Sequence, residues 1–107
     1  MQAADSDRLR SLQKLLAQDP ADGFLLYGMA QECAKLGRHD EATEWYDRAS
    51  AADPKQCYAF FHKAKSLEAL GRRAEAMAAL RDGLARARAV GDRKAASEIE
   101  GYLDEFE

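Results

Sequence analysis

The chain has 107 residues, of which 33% are charged and 47% hydrophobic, and its formal net charge is −3. This length and composition indicate one globular domain, and the acidic balance argues against nucleic-acid binding as the function. No apolar run reaches the roughly 18 residues of a membrane span, so we expect no membrane association. Charged residues near the start argue against a secretory signal peptide, and we expect a cytoplasmic protein.

Six helices and no strands are predicted. Ser6 can cap the first helix, which stops before Pro20 because proline disfavours helix in the residue before it. Its leucines recur on one face, at Leu9, Leu12, Leu15 and Leu16. The second helix spans about 22–36 and has Asp22 as its cap. The third helix spans about 39–52.

The fourth helix is predicted over about 56–70 and the fifth over about 73 to 89 or 90. Helices two, four and five are each followed by a glycine, which suits the left-handed conformation that ends many helices. These glycines are Gly37, Gly71 and Gly91. Asp92 can cap the sixth helix. That helix carries one apolar stripe, formed by Ile99, Tyr102, Leu103 and Phe106.

Several features recur at a spacing of 34 residues. The matching pairs are Leu36-Gly37-Arg38 with Leu70-Gly71-Arg72, Glu41-Ala42 with Glu75-Ala76, Ala30 with Ala64, and Pro20 with Pro54. A helix-turn-helix unit of this length is typical of tetratricopeptide repeats. The sequence resembles that family over nearly its whole length, as a small bacterial-type member.

The resemblance implies an all-α, antiparallel helix-turn-helix solenoid of about six helices. Residues 23–56 form the first full repeat and residues 57–90 the second, which departs from the family pattern at Lys63, Gly83 and Arg88. Residues 6–20 resemble the second half of a repeat, and residues 91–107 resemble a terminal capping helix. The whole chain, 1–107, is then a single domain.

In this family the first helix of each repeat lines a concave groove. The resemblance places Phe24, Tyr27, Gln31 and Lys35 there from the first repeat, and Tyr58, Phe61, His62, Lys65 and Glu68 from the second. The sequence leaves open whether this face is exposed or covered by the first or sixth helix. Some members clamp chaperone carboxylates with lysine and asparagine at groove positions. Tyr27 and Gln31 occupy those places here, so this binding mode is not expected.

Charge is unevenly distributed along the chain. Residues 57–90 carry seven Lys/Arg and three Asp/Glu, and residues 91–107 carry two and six. The favoured interpretation is that neighbouring helical faces complement each other. The alternative is a patch for RNA or an acidic partner, formed by Arg72, Arg73, Arg81, Arg86 and Arg88. Autoinhibition by the acidic end is a further alternative.

No catalytic or cofactor motif is present. Cys33 and Cys57 form no metal-binding pair, and His39 and His62 are isolated, so we expect no enzyme activity, metal or cofactor. The predicted function is a protein-protein interaction module, an adaptor or scaffold that binds a partner's peptide or helix in the aromatic-lined groove. The alternative is a structural homo-oligomer that buries the groove by self-association. The expected state is a monomer or weak homodimer.

Overall fold

The computed structural model describes residues 6–106 and has six α-helices there. They are α1 (Asp7–Gln18), α2 (Gly23–Lys35), α3 (His39–Ala52), α4 (Tyr58–Ala69), α5 (Arg73–Val90) and α6 (Arg93–Asp104). Each helix packs against the next along the chain, and α2 also contacts α4. Short connections make neighbouring helices antiparallel, so the predicted all-α solenoid is confirmed. Within residues 6–106, no helix combines the length and apolarity that crossing a bilayer requires.

Three helices begin at the predicted side-chain caps. Ser6 Oγ accepts a hydrogen bond of 3.0 Å from the Leu9 amide, and Asp22 accepts one of 2.9 Å from the Phe24 amide. Asp92 caps α6 in the same way. Each side chain satisfies an amide that has no partner inside the helix, which fixes where the helix starts.

The predicted glycine ends are also present. Gly37, Gly71 and Gly91 have φ values of 80°, 76° and 77°. After Gly37, the Arg38 amide donates to the Cys33 carbonyl at 2.8 Å, and the Gly37 amide donates to Ala34 at 3.0 Å. These paired bonds form a Schellman motif, in which glycine reverses the chain without the strain that a Cβ would add.

The apolar core consists of two clusters. The first lies among α1, α2 and α3 and includes Ala59 of α4, and the second lies among α4, α5 and α6. Small residues of the first predicted repeat, Ala30, Ala42 and Ala49, are fully buried and let the helices approach closely. Tyr46 fills the space between them and is only 1% exposed.

One prediction for α1 is wrong. Leu9, Leu12 and Leu16 are buried, but Leu15 is 52% exposed. The buried leucines follow a narrow stripe at spacings of three and four residues, which faces α2. Leu15 lies beside this stripe, on a side of α1 that no other described helix covers.

Candidate functional site

The predicted groove residues of α2 and α4 are joined by ring contacts. The ring centroid of Tyr27 in α2 lies 6.0 Å from that of His62 in α4, and His62 lies 5.3 Å from Phe61. Tyr58 lies 6.2 Å from Phe61. With Tyr46, Tyr102 and Phe106, these rings form what we call the aromatic row, which connects the two halves of the molecule.

Tyr46 of α3 closes the α2 end of the aromatic row. Its ring lies 5.9 Å from Tyr27 and 6.2 Å from His62, and its hydroxyl donates to Oε1 of Gln31. Burial raises the pKa of the Tyr46 hydroxyl, so the group stays protonated as a donor near neutral pH. Gln31, a predicted groove residue, therefore helps to fix the position of Tyr46.

His62 lies at the centre of the aromatic row and is half-buried. Its burial lowers the pKa of the imidazole, and the ammonium of Lys65 lowers it further. The ring is therefore neutral near pH 7 and packs against Tyr27, Tyr46 and Phe61 as an aromatic group. His62 therefore links α2, α3 and α4 within the aromatic row.

The sixth helix extends the aromatic row and covers part of it. Tyr102 lies 5.2 Å from Phe61 and donates its hydroxyl hydrogen to Glu68 Oε1. Burial is the main reason that the pKa of Tyr102 is raised, and the hydrogen bond to Glu68 adds to it. Lys65 Nζ lies 4.9 Å from the Phe61 ring centroid and 5.9 Å from that of Tyr102. The sixth helix therefore covers the α4 side of the face in part.

The remaining two predicted groove residues extend away from the rings into solvent. Phe24, in the first turn of α2, is 78% exposed. Lys35, in the last turn, is exposed, and its ammonium lies 3.8 Å from Glu32 Oε1. Phe24 is therefore the most exposed large apolar side chain of the predicted set.

A cleft of about 480 Å³ opens between α4 and α6, and we call it the α4–α6 cleft. Its lining residues are Phe61, Lys65, Glu98, Gly101, Tyr102 and Glu105. The sequence predicted Phe61 and Lys65 for the groove but assigned Tyr102 only to the apolar stripe of α6. The apolar stripe of the sixth helix contains the aromatic residues Tyr102 and Phe106, which were the sequence signal that this helix contributes to the aromatic row.

Sequence reasoning also missed the role of Glu32. This carboxylate is only 4% exposed; it accepts a hydrogen bond of 2.8 Å from Ser6 Oγ and lies 3.4 Å from Nε of Arg8. A buried carboxylate requires such partners because desolvation disfavours its charge. Glu32 therefore attaches the start of α1 to α2.

The basic residues of the second predicted repeat make contacts within the molecule. Arg72 lies 3.4 Å from Asp40, and Arg88 lies 3.4 Å from Glu100 of α6. Arg73 donates to the Phe106 carbonyl, and Arg86 donates to Pro54 O at 3.1 Å. These contacts favour the interpretation of complementary neighbouring helices over that of a nucleic-acid patch.

Comparison with protein families finds one repeat directly. The family described as "Tetratricopeptide repeat" matches residues 25–56, which include most of α2 and all of α3. Residues 25–56 are a tetratricopeptide repeat. The predicted family is therefore confirmed for this segment, which contributes Tyr27 and Tyr46 to the aromatic row and Gln31 as the hydrogen-bond acceptor of Tyr46.

A solved structure supports the same fold over most of the chain. The type III secretion translocator chaperone SycD of Yersinia enterocolitica is similar with a TM-score of 0.81. The similarity covers 92% of this chain and 68% of the SycD chain, at 21% sequence identity, and concerns the fold. No curated protein matches the sequence. Tetratricopeptide solenoids typically bind other proteins and are not catalytic, and this architecture makes the chain a protein-interaction module.

Proposed function

We propose that the chain is a non-catalytic, cytoplasmic adaptor or scaffold that binds a peptide or helix of a partner protein on the aromatic face of α2 and α4. The observation that carries this proposal is Phe24, an aromatic side chain left 78% exposed on α2, three residues before Tyr27 of the aromatic row. Exposed apolar groups that adjoin further apolar surface are typical of protein-binding sites. Phe24 is the first contact that a partner would make.

The order of the aromatic row supports this function. Tyr102 is held by Glu68, and the buried ring of Tyr46, held by Gln31, supports Tyr27 and His62, so the row is fixed before a partner arrives. A preordered surface loses little side-chain entropy on binding, which leaves more of the interaction energy for affinity. Tyrosine and phenylalanine are also well suited to provide the dominant contacts of an interface.

The polar edge of the face fits the same function. Lys35, Lys65 and Glu68 are exposed around the half-buried rings. Interfaces between proteins commonly have an apolar centre and a polar, solvated rim. The similar fold of SycD, which is named as a translocator chaperone, adds support for a protein partner.

A second copy of the chain is the alternative partner, because the exposed Phe24 would also suit a symmetric contact. Light scattering over a range of concentrations separates the two functions. A mass that doubles in the wild type, and stays monomeric in Phe24→Ala, would favour the homo-oligomer. A monomer at all concentrations would exclude it.

The adaptor function is tested by a pull-down from lysate of the source organism, with mass spectrometry as the readout. Phe24→Ala removes an exposed ring and should leave the fold intact, as circular dichroism would verify. Leu15→Ala is the matched control, since it removes another exposed apolar side chain, on α1. We expect a partner that the wild type and Leu15→Ala retain and Phe24→Ala loses. Equal retention by all three would refute this site.

Truncation of two rings in the aromatic row provides a second test of the adaptor function. The double variant Tyr27→Ala/Phe61→Ala removes one half-buried ring from each of α2 and α4. If it retains its helicity, the same partner should be lost. Retention of that partner by the folded double variant would show that binding occurs elsewhere.

A further inference from the structure

Gly101 differs from the other six glycines of the chain. Three of those end helices at positive φ, namely Gly37, Gly71 and Gly91. At three more, a Cβ would meet a neighbouring side chain at 3.2 Å or less, namely Gly23, Gly28 and Gly83. Gly101 lies inside α6, where a Cβ would have nothing within 4 Å. Neither backbone conformation nor internal packing accounts for a glycine at position 101.

The location of Gly101 suggests an external reason. Glycine is disfavoured inside a helix, and it is found where another chain or a ligand approaches the backbone closely. Gly101 lines the α4–α6 cleft, next to Phe61 and Tyr102, whose rings lie 5.2 Å apart. Because Gly101 has no side chain, the backbone of α6 is exposed at this position of the cleft.

The rim of the α4–α6 cleft is acidic. Glu98 and Glu105 of α6 line it and are exposed, and Glu68 adjoins it through its hydrogen bond with Tyr102. The one cation in the lining, Lys65, lies over the two rings. The cleft therefore combines an aromatic floor with an excess of carboxylates at its edge, which complements an apolar group with positive charges beside it.

We propose that the α4–α6 cleft receives one apolar side chain of a partner segment that carries lysine or arginine beside that side chain. The partner backbone passes over Gly101, and the basic residues face Glu98 and Glu105. This inference rests on the proposed function, because it names the anchor point and the partner chemistry of the same aromatic face. The volume of about 480 Å³ is sufficient for a leucine, methionine or phenylalanine side chain.

The test uses a phage-displayed library of random peptides, selected on the full chain. A synthetic copy of an enriched peptide is then measured by fluorescence anisotropy. We expect an apolar residue flanked by lysine or arginine to be enriched. Gly101→Leu should weaken binding of this peptide at least about tenfold, because the new side chain occupies the cleft. Ala78→Leu is the matched control: it adds the same side chain at an exposed position of α5 and should change binding less than about twofold.

The charge requirement is tested separately. Glu98→Gln/Glu105→Gln keeps the shape of both side chains and should weaken binding about tenfold, and added salt should weaken binding to the wild type. Enrichment of acidic peptides would overturn the inference. If Phe24→Ala abolishes binding and Gly101→Leu does not, the cleft proposal is wrong and the proposed groove remains. A selection without any enriched peptide would contradict both.

Discussion

Gly83 offers a quantitative test of how closely α4 and α5 pack. It lies in the interior of α5 and is buried, at a position where the resemblance to tetratricopeptide repeats implies alanine. A Cβ added at Gly83 would lie 2.6 Å from Cβ of Phe60 and 3.3 Å from Cδ1 of Ile99. We predict that Gly83→Ala destabilises this chain, although it moves the sequence towards the family pattern.

Two opposing effects set the magnitude. Alanine improves the helix by about 1 kcal/mol relative to glycine. The contact with Phe60 involves its Cβ, which cannot move without its backbone, so overpacking should cost about 3 kcal/mol, at the upper end of its usual range. The net loss is then about 2 kcal/mol, which corresponds to a decrease in Tm of about 8–16 °C for a domain of this size.

Gly101→Ala is the matched control, because the same methyl group enters open space there. It should increase the free energy of unfolding by about 0.5–1 kcal/mol through helix preference alone. Both variants are measured by urea unfolding, followed by circular dichroism at fixed temperature. If Gly83→Ala is as stable as the wild type, α4 and α5 do not pack as closely as described.

Three further predictions concern stability. Glu32→Ala should lower the free energy of unfolding by about 1–2 kcal/mol, because Ser6 and Arg8 lose their acceptor. Glu32→Gln should lower it by less than half as much, and equal losses for the two variants in urea unfolding would argue against the hydrogen bond between Ser6 and Glu32. The lowered pKa of His62 means that the unfolded chain binds its proton more readily, so stability should fall as pH decreases below the ordinary value of 6.5. His62→Asn should remove that part of the pH dependence between pH 8 and 5.5, and an unchanged profile would contradict it. Phe24→Ala should change stability by less than about 0.5 kcal/mol, and a larger loss in thermal unfolding would show that Phe24 packs against the fold.

The helices could be predicted because their signals are local. Ser6, Asp22 and Asp92 cap helices by bonding amides two or three residues away, and glycines at positive φ end them. These interactions depend on neighbouring residues in sequence, so one chain is enough to identify them. The 34-residue period then supplied the order in which the helices pack.

The site could be predicted only in part because ring contacts depend on how helices cross. The spacing of Tyr27, Phe61 and His62 indicated a shared face, and the structure brings these rings together. The contact of Tyr102 with Phe61 joins residues 41 positions apart, outside the 34-residue register. No local pattern specifies that distance.

Burial at the edge of the fold was equally hard to predict. Leu15 was expected on the same face as Leu9, Leu12 and Leu16, yet it is exposed, because α1 packs mainly against α2 and its buried stripe is narrow. Glu32 shows the opposite effect: a charged residue is buried because Ser6 and Arg8 approach it from α1. Both outcomes depend on the end of the solenoid, where the repeat pattern no longer applies.

Photo-cross-linking from position 24 tests the central claim most directly. A photoreactive phenylalanine analogue replaces Phe24 in the full chain, and the same analogue replaces Leu15 as the control, since both side chains are exposed. After irradiation in cells of the source organism, mass spectrometry identifies the attached peptides. The proposed function predicts one partner protein attached at position 24 and not at position 15. Attachment of that partner at position 15 alone, or of a second copy of this chain at position 24, would contradict it.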